Sequence, residues 1–157
     1  MKKNTGFTLA ELLIYIGLLT ILMTILTRLF TAILDVQLSS EATSAVEEDS
    51  RYIYSRLAYD ITRADSIVTP ASPGESSNSL TITIGPVFNT YSVSGSNLML
   101  GTDQLNSLGT IISNLSFYRL GNLNGKDSIQ IKFTITSTTQ KVNGPDTKNI
   151  ETTIARR

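Results

Sequence analysis

Twenty-one residues, FTLAELLIYIGLLTILMTILT at 7–27, hold one formal charge between them, at Glu11. As a helix this run measures ~31 Å at ~1.5 Å per residue, about the hydrocarbon thickness of a bilayer. It is apolar on all sides, whereas a helix covering a soluble core keeps a polar face. The run therefore predicts a membrane span, with Gly17 as its only weak helix former. Lys2 and Lys3 precede it, and only Arg28 follows closely. That bias predicts a cytoplasmic N-terminus, with the chain after residue ~40 outside. A secretory signal shares the basic leader and the apolar run, but it ends in a small-x-small cleavage site. Residues 28–36 read RLFTAILDV instead, and the apolar character continues through Leu29, Phe30, Ala32, Ile33 and Leu34. An uncleaved span is expected, unless the cut falls on its N-terminal side.

The helix should continue well past the span. No glycine lies between Gly17 and Gly74, and no proline precedes Pro70. An apolar stripe of Leu38, Ala42, Val46, Ile53, Leu57, Ile61 and Ala64 advances in steps of three, four or seven, the mark of an amphipathic helix. Glu41, Glu47, Glu48, Arg51, Arg56 and Arg63 fall mostly on other faces. One helix over 7–67 is predicted, some 90 Å long at ~1.5 Å per residue. It should break just before Pro70, within TPASPG, because the residue ahead of a proline is forced out of the helical region. Asp60 and Asp65 are expected to pair with Arg56 and Arg63 at helical spacing. Tyr52, Tyr54 and Tyr59 are expected to pack near the stripe, and Glu47-Glu48-Asp49 to form a solvated face.

From residue 79 the period changes to two. Strands are predicted at 80–84, 87–93, 97–100, 111–120, 128–138 and 149–155. Turns should fall at Gly85-Pro86, Ser94 to Asn97, Gly121 to Gly125 and Asn143 to Asp146. Ile129, Ile131, Phe133 and Ile135 share one strand face, and Gln130, Lys132, Thr134 and Thr136 share the other. One packed and one wet face indicate an antiparallel sheet, whose natural cover is the stripe at 38–64. The expected fold is α+β: a long N-terminal helix, its first half transmembrane, its distal half packed on a small antiparallel sheet of five or six strands. The expected organisation is a leader at 1–6, a transmembrane and assembly helix at 7–34, an amphipathic distal helix at 35–67 and a β-sheet domain at 68–157.

Composition narrows the chemistry. The 157 residues include no Cys, His or Trp, which removes imidazole and thiolate catalysis, disulfides and tetrahedral Cys/His zinc sites. Charged residues make up only 17%, 13 basic against 13 acidic, so there is no electrostatic footprint for nucleic acid. Thr and Ser, 21 and 18 in number, take the place of charge. No cofactor site and no metal site is read.

The segment KKNTG-FTLAELLIYIGLLTIL combines a short basic leader, Gly6, Phe7, and Glu11 inside an apolar span. Together these resemble the class III signal of type IV prepilins and pseudopilins. The resemblance implies that a prepilin peptidase cuts after Gly6 and N-methylates Phe7, and that Glu11 guides assembly. It implies other pilin or pseudopilin subunits and an inner-membrane assembly platform as partners, with lipid around the span before assembly. RLAYDITRADSI at 56–67 and ISNLSFYRL at 112–120 are similar to J-type minor pseudopilins and W-type minor pilins. Many major pilins carry a proline where this chain has Arg28, and many carry a C-terminal cysteine pair that this chain lacks. These departures point to a minor component.

The resulting expectation is a structural, non-enzymatic minor subunit of a type IV pilus or type II secretion-like filament. It would sit in the cytoplasmic membrane with its C-terminal domain outside, and then in the filament. The competing readings are a signal-anchored extracellular binding domain that never polymerises and a membrane-tethered hydrolase using Asp or Ser. Arg28 either snorkels to the outer interface or meets a neighbouring subunit's carboxylate. Gly121-Asn-Leu-Asn-Gly125-Lys126-Asp127 lacks the spacing and the Ser/Thr of a phosphate loop and reads as a hairpin turn. Asn114-Leu115-Ser116 is a glycosylation sequon read as unmodified strand. Asp103, Asp127 and Asp146 read as turn residues rather than calcium ligands.

Overall fold

The computed structural model describes residues 8–121, 125–141 and 144–157. Its helix α1 runs Leu9–Arg63 without interruption. The chain divides into two compact units, one up to Gln37 and one at Leu38–Arg157. In the first, every described side chain is exposed. Among the described residues, one helix is long and apolar enough to cross a membrane, with a mean hydropathy of 2.3 over its best window.

The second unit adds nine strands to the distal part of α1: β1 (Ser66–Thr69), β2 (Ser76–Ser77), β3 (Leu80–Ile84), β4 (Val87–Ser94), β5 (Asn97–Leu100), β6 (Asp103–Gln104), β7 (Thr110–Leu120), β8 (Ser128–Ser137) and β9 (Thr147–Ala155). All pairings are antiparallel. The strands form two sheets, in the orders β1-β3-β4-β5-β6 and β2-β7-β8-β9. Val46, Ile53, Leu57, Ile61 and Ala64 of the helical stripe share one core with the inward faces of both sheets. Leu80 and Ile82 of β3, Tyr91 of β4 and Leu98 of β5 come from the first sheet; Phe117 of β7 and Ile129, Ile131, Phe133 and Ile135 of β8 come from the second. The protein is thus α+β, with its helix packed on antiparallel sheet.

Several expectations change. The helix ends at Arg63 rather than at 67, and there is no helical break at Pro70. Asp65 N–H already donates to Thr83 O at 2.8 Å, and Ser66 and Ile67 stand opposite Thr83 and Ile82 in a ladder. The β-branched Ile67, Val68 and Thr69 suit that ladder better than a last helical turn. Asp65 therefore lies beyond the helix, and its carboxylate accepts from Gly85 N–H (2.7 Å). Arg63 lies over the Tyr59 ring at 4.7 Å instead. Tyr52, Tyr54 and Tyr59 are about half exposed, off the packed stripe. The single sheet of five or six strands is two sheets, enlarged by β1, β2 and β6.

Candidate processing and assembly site

The expected cleavage pair, Gly6 and Phe7, lies outside the described residues, as does the leader before it. The first described residue, Thr8, caps the helix. Thr8 N–H and its hydroxyl both donate to Glu11 Oε2 (3.0 Å each), and Glu11 N–H donates back to Thr8 Oγ1 (3.3 Å). This is a capping box, in which a Thr and a Glu three residues on satisfy each other's backbone donors. Glu11 thus has a structural task at the helix start, local to the chain. Thr-x-x-Glu ahead of an apolar run is the signature of such a box, and reading Glu11 for assembly alone overlooks it.

Farther along, Thr20, Thr24, Thr27 and Thr31 turn their hydroxyls back onto carbonyls three or four residues earlier, at 2.8–3.0 Å. The helix surface therefore carries hydroxyls whose donors are already satisfied, which suits an apolar surrounding. Arg28 lies within the helix and is exposed, with no ion pair among the described residues. Glu11 and Arg28 are seventeen positions apart, ~25 Å along a helix, so the structure does not bring them together. A partner for either charge must come from outside this helix.

In the second unit, two carboxylates expected on solvated or paired faces are buried junctions between helix and sheet. Asp49 is buried, a correction to the solvated face expected at Glu47-Glu48-Asp49. Its Oδ2 accepts from Ser107 N–H (2.9 Å), Ser107 Oγ (2.7 Å) and Thr110 Oγ1 (2.5 Å). Asp60 pairs with Arg56 (3.2 Å), as its spacing predicts, and also accepts from the buried phenol of Tyr91 (2.5 Å). Burial, together with the Asp60 carboxylate, pushes the Tyr91 phenol well above its ordinary pKa. Asp49 and Asp60 both continue the stripe, three residues on from Val46 and Leu57. That spacing is the available signal, and the charge of both residues masks it.

The other candidates resolve into structure. Asp127 pairs with Arg119 (2.6 Å), whose guanidinium also donates to the Ile67, Pro70 and Ala71 carbonyls. Asp146 pairs with Lys141 (3.2 Å), and Asp103 is exposed on β6. Among the described residues no group of three or more acidic side chains is placed to hold a metal. Residues 122–124 of the turn expected at Gly121 to Gly125, and Asn143, lie outside the described residues. Lys126 donates to the Arg157 carbonyl. Asn114 sits where the β7 register against β8 shifts, with φ of 54°.

Residues 1–27 match the model of the prokaryotic N-terminal methylation motif. That match supports the type IV pilin and pseudopilin family, and with it processing by a prepilin peptidase. No curated protein and no solved structure matches the chain.

Proposed function

We propose that this chain, which carries the prepilin-type methylation motif, is a minor pilin or pseudopilin of a type IV pilus or type II secretion-like filament. The peptidase cuts after Gly6 and methylates Phe7, and the C-terminal domain lies outside the cytoplasmic membrane. Leaving the bilayer, the apolar helix exchanges lipid for the helices of neighbouring subunits. The role is structural rather than enzymatic. One observation carries this reading: the methylation motif at residues 1–27 runs directly into a helix whose distal part belongs to the folded unit. Arg28 within an unbroken helix, in place of the proline of many major pilins, favours a minor component.

Mass spectrometry of the N-terminal peptide tests the proposal. The expected peptide begins at methylated Phe7. Gly6→Val should retain the leader, because a branched side chain next to the scissile bond crowds the peptidase cleft. A mature mass for Gly6→Val equal to that of the parent would overturn the reading.

A further inference from the structure

Part of the β7 edge is left open. On the side away from β8, Ser77 stands opposite Phe117, and Ser96 O accepts from Ile112 N–H (2.8 Å). No described strand pairs with β7 between these two points. The register against β8 shifts in the same stretch, between Ser113 and Ser116. Asn114 adopts a left-handed conformation there, which asparagine tolerates better than most residues with a side chain.

The gap is an open groove of about 730 Å³. Ser77, Asn78, Ser79, Ser92, Asn114 and Ser116 line it, with only Val93 and the buried Leu115 apolar. Ser77 and Ser79 bond to each other (3.4 Å), and Asn114 Nδ2 donates to Thr134 Oγ1 (3.4 Å). The side chains of Asn78, Ser92 and Ser116 have no hydrogen-bond partner among the described residues. A second groove adjoins across the bulge and shares Asn114 and Ser116; its charges, Lys132 and Glu151, neutralise each other at 2.9 Å.

This chemistry selects a ligand class. No formal charge lines the first groove, so a phosphate or carboxylate meets no cation. Two apolar side chains are too few for a lipid or an aromatic ligand, which needs a mainly apolar lining. An extended peptide adding to an edge needs a longer open run, and this one is closed at both ends. Hydroxyls and amides both donate and accept, as the hydroxyls of a sugar do. We propose that the groove binds a neutral saccharide of one or two rings, held by Ser92, Asn114 and Ser116. The site lies wholly within the second unit and does not depend on the filament reading.

The test uses the full chain in a detergent without a sugar headgroup, titrated with maltose, cellobiose and chitobiose. The readout is backbone amide NMR shifts. Saturable shifts confined to residues 77–79, 92 and 113–116 are expected with at least one of these sugars. Asn114→Gly keeps a residue at ease with positive φ and removes the amide. Ser92→Ala removes one hydroxyl without touching the bulge. Each should weaken binding about tenfold, the loss expected for one hydrogen bond. If Asn114→Gly perturbs the fold, Ser92→Ala alone decides. The proposal is overturned if no sugar shifts these residues at tens of millimolar. It is also overturned if a tri-serine peptide or inorganic phosphate shifts them instead, or if folded variants bind like the parent.

Discussion

Thr8 and Glu11 set a question of magnitude. A carboxylate in an apolar span costs roughly 2.5–3.5 kcal/mol at its centre and less near its end. The first-turn dipole returns ~0.3–1 kcal/mol and a cap ~1 kcal/mol. Cap and dipole together thus offset much of the cost near the helix end, though Leu at this position would avoid the cost altogether. On the proposed reading, the remaining reason for a charge is a partner: the Phe7 amine that cleavage would free, in this chain or in its neighbour. Glu11→Gln separates the two roles, because glutamine can close a capping box but carries no charge. Both Glu11→Leu and Glu11→Gln should insert and be cleaved yet enter filaments poorly, measured as the ratio of filament-bound to membrane-bound protein. Normal incorporation of the Gln variant would reduce Glu11 to a cap. Normal incorporation of the Leu variant would show that neither the carboxylate nor the capping box guides assembly. A different scale of effect belongs to Asp49. Asp49→Ala strands buried donors on Ser107 and Thr110 and should cost ~2–4 kcal/mol in urea unfolding. Glu48→Ala, one residue earlier and exposed, should stay within about 0.5 kcal/mol. Equal effects would mean that the Asp49 junction adds nothing to stability.

The helix and the longer strands are readable because each states its own period. LTITI and NLML fall on β3 and β5, and the alternating isoleucines of β8 all point into the core. The elements that are not readable lack a local signal. β2 and β6 are two residues each, polar, and exist only through their partners on β7 and β5. β1 continues from a helix without glycine or proline between them, and only its partner on β3 makes it a strand. Contacts between elements also carry a pH dependence. Lys148 on β9 donates to Glu47 on α1 (2.7 Å) and holds that carboxyl below the usual Glu range. The folded protein then binds fewer protons at Glu47 than the unfolded chain does. The contact stabilises fully above the ordinary Glu pKa of about 4.3, and its contribution is lost as pH falls through the lowered folded value. Lys148→Met should therefore show a smaller drop in urea midpoint than the parent between about pH 6 and pH 3. Parallel acid limbs in the two proteins would remove this pair from the acid response.

At the scale of the molecule, pattern indicates helix-on-sheet packing, but the division into two sheets rests on pairings between distant residues that no local period encodes. β2 leaves for β7, and β3 returns to β1. What joins both sheets is the α1 stripe, and its weight can be gauged. Val46, Ile53, Leu57 and Ile61 are each at most 3% exposed. At ~1.5–3 kcal/mol for each fully buried aliphatic side chain, these four contribute about 6–12 kcal/mol. That is comparable to the entire stability of a typical domain, ~5–15 kcal/mol. Removing the helix would also leave Tyr91, Ser107 and Thr110 without the Asp60 and Asp49 carboxylates they bond. A chain starting near residue 35 discards the span and keeps the stripe, and the unit at Leu38–Arg157 retains its whole core. That fragment should be soluble and unfold cooperatively. A chain starting near residue 68 lacks the stripe and half of β1, so inward-facing isoleucines of β3 and β8 become exposed. It should aggregate or bind a hydrophobic dye without a cooperative transition. A soluble, cooperatively unfolding fragment from residue 68 would show that the sheets close on each other without the helix, and the stripe would then not be the cover that the core requires.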